Sequence, residues 1–81
     1  MKNYRFRYCV WLDAVTGIKK DGGYFYGSSF SSKNFDGNLS SVKLYAREHL
    51  KTGEFNHAII FDREAEEHIE CFTGTEWRTV A

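Results

Sequence analysis

Proline is absent from the 81 residues, cysteine occurs twice, and neither sign of charge prevails, with 11 basic residues against 11 acidic. Each shortage sets aside a class of protein. With no proline, low-complexity tract or internal repeat there is no sign of a linker, and the length suits one domain near the lower limit for a core held by apolar packing alone. No apolar run approaches the ~18 residues needed to cross a bilayer, so no membrane partner is expected. A formal charge of zero lacks the positive footprint of a dedicated nucleic-acid binder. Cys9 and Cys71 each fall inside an apolar strand pattern with no secretory signal ahead of them, and read as reduced, buried thiols of a cytoplasmic protein.

What the chain does have is aromatic bulk, in seven Phe, five Tyr and two Trp. Each such side chain can bury roughly 150–250 Å², which is how so short a chain builds a core. Charge is also unevenly spread. Residues 1–51 hold nine Lys or Arg against four Asp or Glu, and residues 52–81 hold two against seven. Cross-strand pairing of a basic front with an acidic back within one sheet accounts for this asymmetry.

One helix is marked at both ends. Asn38 suits an N-cap because its side-chain oxygen accepts from free N–H groups of the first turn, and Gly53 suits a left-handed closing position after Thr52. Between them Leu39, Val42, Ala46 and Leu50 recur at i, i+3, i+7 and i+11, an apolar stripe that should face a sheet. Leu44 projects about 140° away from that stripe and should be exposed, with Tyr45 on its shoulder.

The remainder reads as strand. From Tyr4 to Leu12 the chain alternates, setting Tyr4, Phe6, Tyr8, Val10 and Leu12 on one face and Arg5, Arg7, Cys9 and Trp11 on the other. Asp13–Gly17 reads as a hairpin tip, since Asp can bond its own backbone and Gly accepts positive φ. The return strand is expected to reach Phe30 with a bulge at Gly22 and Gly23, and residues 28–34 to form a polar connection to the helix. Phe55–Phe61 is apolar on both faces and suits a central strand. A turn over Asp62–Glu67, a strand His68–Phe72, a Gly74 turn and a last strand Glu76–Val80 complete the order ββαβββ. The expected fold is α+β, a largely antiparallel five-stranded sheet with one helix packed on one face.

Site chemistry is sparse. His49, His57 and His68 fall on separate elements without metal-ligand spacing, and a turn centred on Ala65 and Glu66 sets position 63 across from His68, leaving His57 far along the ladder. No motif supplies a nucleophile with its base, so the chain is read as a non-enzyme without cofactor or metal. Two surfaces compete as partner sites. Arg5, Arg7 and Trp11 with Lys19 and Lys20 offer cations beside an aromatic plane, as single-stranded nucleic acid requires. Glu64, Glu66 and Glu67 form the densest acid, able to imitate phosphate charge towards a basic groove. Leu44 and Tyr45 offer a third contact. Edge strands carrying aromatics could also pair across a two-fold axis into a homodimer. A small nuclease using a His and a Glu is the enzymatic alternative.

A strand starting within a few residues of Met1 (Tyr4 to Leu12), one helix (Leu39 to Thr52) and a terminal hairpin through Phe72-Thr-Gly-Thr-Glu-Trp77 resemble the small virus- or mobile-element-encoded anti-CRISPR inhibitors of bacterial defence. The resemblance implies a cofactor-free, stoichiometric inhibitor in the cytoplasm of a bacterial host. Its partner would be a protein or ribonucleoprotein, a defence nuclease or CRISPR effector complex whose nucleic-acid site it blocks.

Overall fold

The computed structural model describes residues 6–80. Its elements are β1 (Tyr8–Ile18), β2 (Tyr24–Phe35), α1 (Leu39–Leu50), β3 (His57–Asp62), β4 (Glu67–Phe72) and β5 (Arg78–Val80). The strands form one antiparallel sheet in the order β2-β1-β3-β4-β5, with α1 on one face, so the expected α+β architecture holds.

The helix forms where its caps and stripe place it. Asn38 Oδ1 accepts from the Ser41 N–H at 2.9 Å, and Gly53 takes φ +82° after the last turn. Val42, Ala46 and Leu50 are buried and Leu39 is packed at their margin. Beneath them lie Tyr8, Val10 and Leu12 of β1, Ala58 and Ile60 of β3, and Ile69 and Cys71 of β4. From Tyr8 onward the alternation expected of the first strand points its large residues at the helix, but β1 begins only at Tyr8, so Phe6 and Arg7 precede it, and Tyr4 and Arg5 lie outside the described residues. Both cysteines are buried free thiols.

The first hairpin departs from expectation. Asp13–Gly17 is not a tip: β1 runs through it to Ile18, and the chain turns at residues 19–23, where Gly22 adopts φ +93°. The turn chemistry assigned to Asp13 is performed by Asp21, whose carboxylate accepts from the Gly23 N–H at 2.9 Å. Asp13 is instead buried. The irregular pairing lies at Asp13–Gly17 rather than at Gly22 and Gly23. Asn56 holds that irregular stretch, its side-chain amide accepting from Val15 N–H at 2.7 Å and donating to Val15 O at 2.8 Å.

Residues 28–34 are likewise strand and not a connection, because β2 continues to Phe35 against Tyr8. Serines and Lys33 there look loop-like in composition, yet β1 supplies a continuous ladder that settles their conformation. Elsewhere the boundaries move by one or two residues. The helix ends at Leu50, β3 starts at His57, and β5 is confined to Arg78–Val80. In the β3–β4 hairpin Phe61, not position 63, stands opposite His68, since the turn spans residues 63–66 with Glu66 at φ +56°. His57 and His68 remain far apart on the ladder.

Candidate functional site

With α1 on one face, the other face of the sheet has no covering layer among the described residues. Strand alternation sends to it Cys9, Trp11 and Asp13 from β1, His57, Ile59 and Phe61 from β3, and His68, Glu70 and Phe72 from β4. Arg78 and Val80 of β5 and Phe30 of β2 extend the same face. In a two-layer fold such a face is ordinarily polar. Here it carries Trp11, Phe30, Phe61 and Phe72 among its polar residues.

Two clusters divide it. In the first, Trp11 meets Phe30 and Phe61 edge-on, with ring centroids 6.0 and 4.9 Å apart, and Phe61 meets His68 at 4.4 Å. Trp11 is 41% exposed and Phe30 58%. These rings hold one another in place while remaining open to solvent.

The second cluster is ionic and sealed. His57 is fully buried, with Nε2 3.1 Å from Glu70 Oε2 and Nδ1 3.5 Å from Asp13 Oδ2. Arg78 Nη2 donates to the other Glu70 oxygen at 2.8 Å. Tyr24 and Phe72 close over the imidazole, their ring centroids 5.1 and 4.5 Å from it. The two carboxylates are driven in opposite directions. Burial pushes the Asp13 carboxyl above its ordinary value, more than the attraction of His57 pulls it down. Burial acts the same way on Glu70, but hydrogen bonds from Arg78 and His57 outweigh it and hold Glu70 low. Beside them, burial and then the Asp13 charge push the Tyr26 phenol up.

Divergent carboxylates around an imidazole are a pattern of acid–base sites. Here both imidazole nitrogens face carboxylates, and Tyr24 and Phe72 cap the ring. Glu70 is hydrogen-bonded to His57 and Arg78, while His57 Nδ1 stands 3.5 Å from Asp13 without a hydrogen bond, and among the described residues no group of His, Cys, Asp and Glu converges as a metal site. The other histidines are also engaged, His49 with the Tyr45 carbonyl at 3.0 Å and His68 with Phe61. A small cavity of about 150 Å³ borders the cluster, lined by Glu70, Cys71, Phe72, Thr75, Glu76 and Arg78. A shallow groove of about 610 Å³ runs between α1 and the start of β5, lined by Ser40, Lys43, Leu44, Arg47, Glu76 and Trp77.

The residues singled out from sequence are scattered by the fold. Arg5 lies outside the described residues. Arg7 is spent on Asp62, to which Nε and Nη2 each donate at 3.0 Å, and lies 3.5 Å from Glu64. Asp62 also accepts from the Glu64 and Ala65 N–H groups, and the Arg7 hydrogen bonds outweigh burial to keep its carboxyl below the usual range. Basic front and acidic back therefore meet at this corner. Glu66 and Glu67 stay exposed at the same turn. Lys19 and Lys20 sit at the exposed β1–β2 tip, Lys19 over the Phe25 ring. Leu44 is exposed as expected, whereas Tyr45 packs on Phe35 with ring centroids 4.7 Å apart. Leu44 and Tyr45 thus belong to different surfaces.

Of the expected partner residues, only Trp11 lies on the aromatic face. Phe30, Phe61 and the Asp13–His57–Glu70–Arg78 cluster escaped sequence reasoning. Phe61 was legible from its place on an apolar strand, but Asp13 was hidden by its resemblance to a turn residue. No protein-family model, curated protein or solved structure matches the chain.

Proposed function

We propose that the chain is a non-enzymatic binding protein that docks a protein or ribonucleoprotein through the uncovered sheet face. The observation that carries this reading is the exposed pairing of Trp11 with Phe30 on a face that no layer covers among the described residues. Aromatic anchors of this kind, held in place before contact, supply much of the energy of protein interfaces because little side-chain freedom is lost on docking. The ionic cluster beneath Tyr24 and Phe72 adds rigidity to the platform. A stoichiometric block of a defence nuclease or CRISPR effector complex is the specific form proposed, following the resemblance to anti-CRISPR inhibitors.

Direct nucleic-acid binding is the weaker reading on this face. Its one described arginine candidate, Arg7, is paired with Asp62, and Lys43 and Arg47 lie on α1, across the sheet. A phosphate backbone needs several available cations along one path.

The test is capture from lysate of a bacterium carrying an active CRISPR effector, with and without nuclease treatment, followed by titration of the captured complex in a DNA-cleavage assay. Wild type is compared with Trp11→Ala, Phe30→Asp and Leu44→Asp. Loss of cleavage saturating near one protein per complex, abolished by the first two variants and retained by Leu44→Asp, is the expected result. Recovery of nucleic acid alone, or loss of capture only in Leu44→Asp, overturns it.

A further inference from the structure

The sheet has two unlike edges. β5 is a three-residue edge, whereas β2 runs for twelve residues. At ~3.4 Å per residue β2 measures about 40 Å, comparable to the 38 Å long axis of the molecule. Among the described residues its backbone groups bond to nothing outside β1. Solvent-exposed edges are normally blunted by proline, by short length or by charges that stand off the strand, because unpaired N–H and C=O groups recruit another strand. β2 contains no proline, and its one charge, Lys33, is drawn to the helix side with Nζ 5.3 and 5.1 Å from the Phe35 and Tyr45 ring centroids.

Not all of β2 is equally suited to pairing. Between Tyr26 and Phe30 three residues stand against Ala14 alone, so the ladder is irregular there. From Phe30 to Phe35 the register against β1 is unbroken. In that stretch Phe30, Ser32 and Asn34 share the uncovered face, while Ser31, Lys33 and Phe35 share the helix face.

We propose that two copies of the chain join by antiparallel pairing of their β2 edges about a two-fold axis at Ser32, making one ten-stranded sheet. A two-fold normal to the sheet keeps like faces together, so directly opposed residues must come from the same face. An axis on Lys33 would oppose two ammonium groups, and an axis on Ser31 would carry Lys33 into the irregular stretch. The axis at Ser32 sets Ser32 against the partner's Ser32, Ser31 against the partner's Lys33 and Phe30 against the partner's Asn34. Small serines at the centre allow close approach. The uncovered faces then become continuous, with a Trp11 and Phe30 pair on each side of the axis. Dimerisation does not rest on the proposed docking of another macromolecule, and either can fail alone.

Sedimentation equilibrium of the full chain from micromolar to millimolar concentration tests the proposal. Wild type should approach twice the monomer mass, and Ser32→Lys, which sets like charges across the axis on an exposed position, should remain monomeric with an unchanged circular dichroism spectrum. Ser32→Cys gives a second reading that does not depend on weakening the dimer. Opposed Cα atoms about 4.5–5.5 Å apart lie within disulfide reach, so mild oxidation should cross-link this variant far faster than Ser40→Cys on α1. A wild type that stays monomeric throughout overturns the proposal and leaves the edge for a strand of a different protein. So does a dimer that survives Ser32→Lys, or equal cross-linking of the two cysteine variants.

Discussion

Replacing His57 by Phe tests whether the sealed ionic cluster supports the uncovered face. The new ring matches the aromatic cage of Tyr24 and Phe72 in character, so the principal loss is electrostatic. Glu70 retains Arg78, but Asp13 loses the one side chain within ion-pair distance of it among the described residues. Leaving a buried carboxylate desolvated without its partner costs about 3–5 kcal/mol. That loss rivals the roughly 3–5 kcal/mol that a core of this size commonly supplies. His57→Phe is therefore expected to be largely unfolded at neutral pH, measured by urea unfolding followed through Trp fluorescence. The defect has a sign in pH. Asp13 already titrates above its ordinary value because burial outweighs His57, and without His57 it moves higher. A carboxyl raised in the folded state favours folding below its unfolded pKa, and that contribution is lost as pH rises through the folded value. The deficit of His57→Phe should therefore shrink between neutral pH and about pH 4, and adding Asp13→Asn should restore much of it at neutral pH. A loss below about 1 kcal/mol, or one equal at both pH values, refutes the reasoning.

The two carboxylates of the cluster should respond oppositely at pH 7 in the same assay. Asp13→Asn imitates the protonated form that burial favours and should cost nothing or stabilise slightly, whereas Glu70→Gln weakens charged hydrogen bonds and should cost about 1–3 kcal/mol. Acid unfolding should be governed by Glu70 and Asp62, whose folded values are lowered. Their contribution is complete above their unfolded pKa values and is lost as pH falls through the folded ones, so Asp62→Asn should flatten the low-pH limb of stability against pH. At the helix, Asn38→Ala removes the acceptor for the Ser41 N–H and should cost about 1 kcal/mol, read as a lower urea midpoint.

The helix, the strand count and the core face were legible because each is written locally. Asn38 and Gly53 mark ends, Val42, Ala46 and Leu50 mark a stripe, and Tyr8, Val10 and Leu12 alternate. The first hairpin was not legible, because its turn signals occur twice. Asp13 with Gly17 and Asp21 with Gly22 both have turn chemistry, and the choice is made by His57, which lies 44 positions beyond Asp13 and takes up its carboxylate. Serines of β2 misled for a related reason. Their strand conformation is imposed by the ladder to β1 and not by their own propensity. The candidate face was half visible, since Trp11 was assigned to the correct side, but its neighbours Phe30 and Phe61 arrive through pairing registers that depend on the misread hairpin.

Arg7 explains why a surface that looks cationic in sequence is not cationic in space. Its guanidinium is committed to Asp62, which also organises the β3–β4 turn through the Glu64 and Ala65 N–H groups. Freeing Arg7 for a phosphate would cost both the ion pair and the restraint on that turn. On the uncovered face itself, Arg78 is held by Glu70. Arg7 and Arg78 are thus occupied by the pairings that balance the chain's unequal halves, and Arg63 donates to the Phe6 carbonyl and to Asn34 Oδ1, leaving Trp11 and Phe30 as the exposed apolar remainder of the uncovered face. That remainder favours an apolar protein surface over a polyanion.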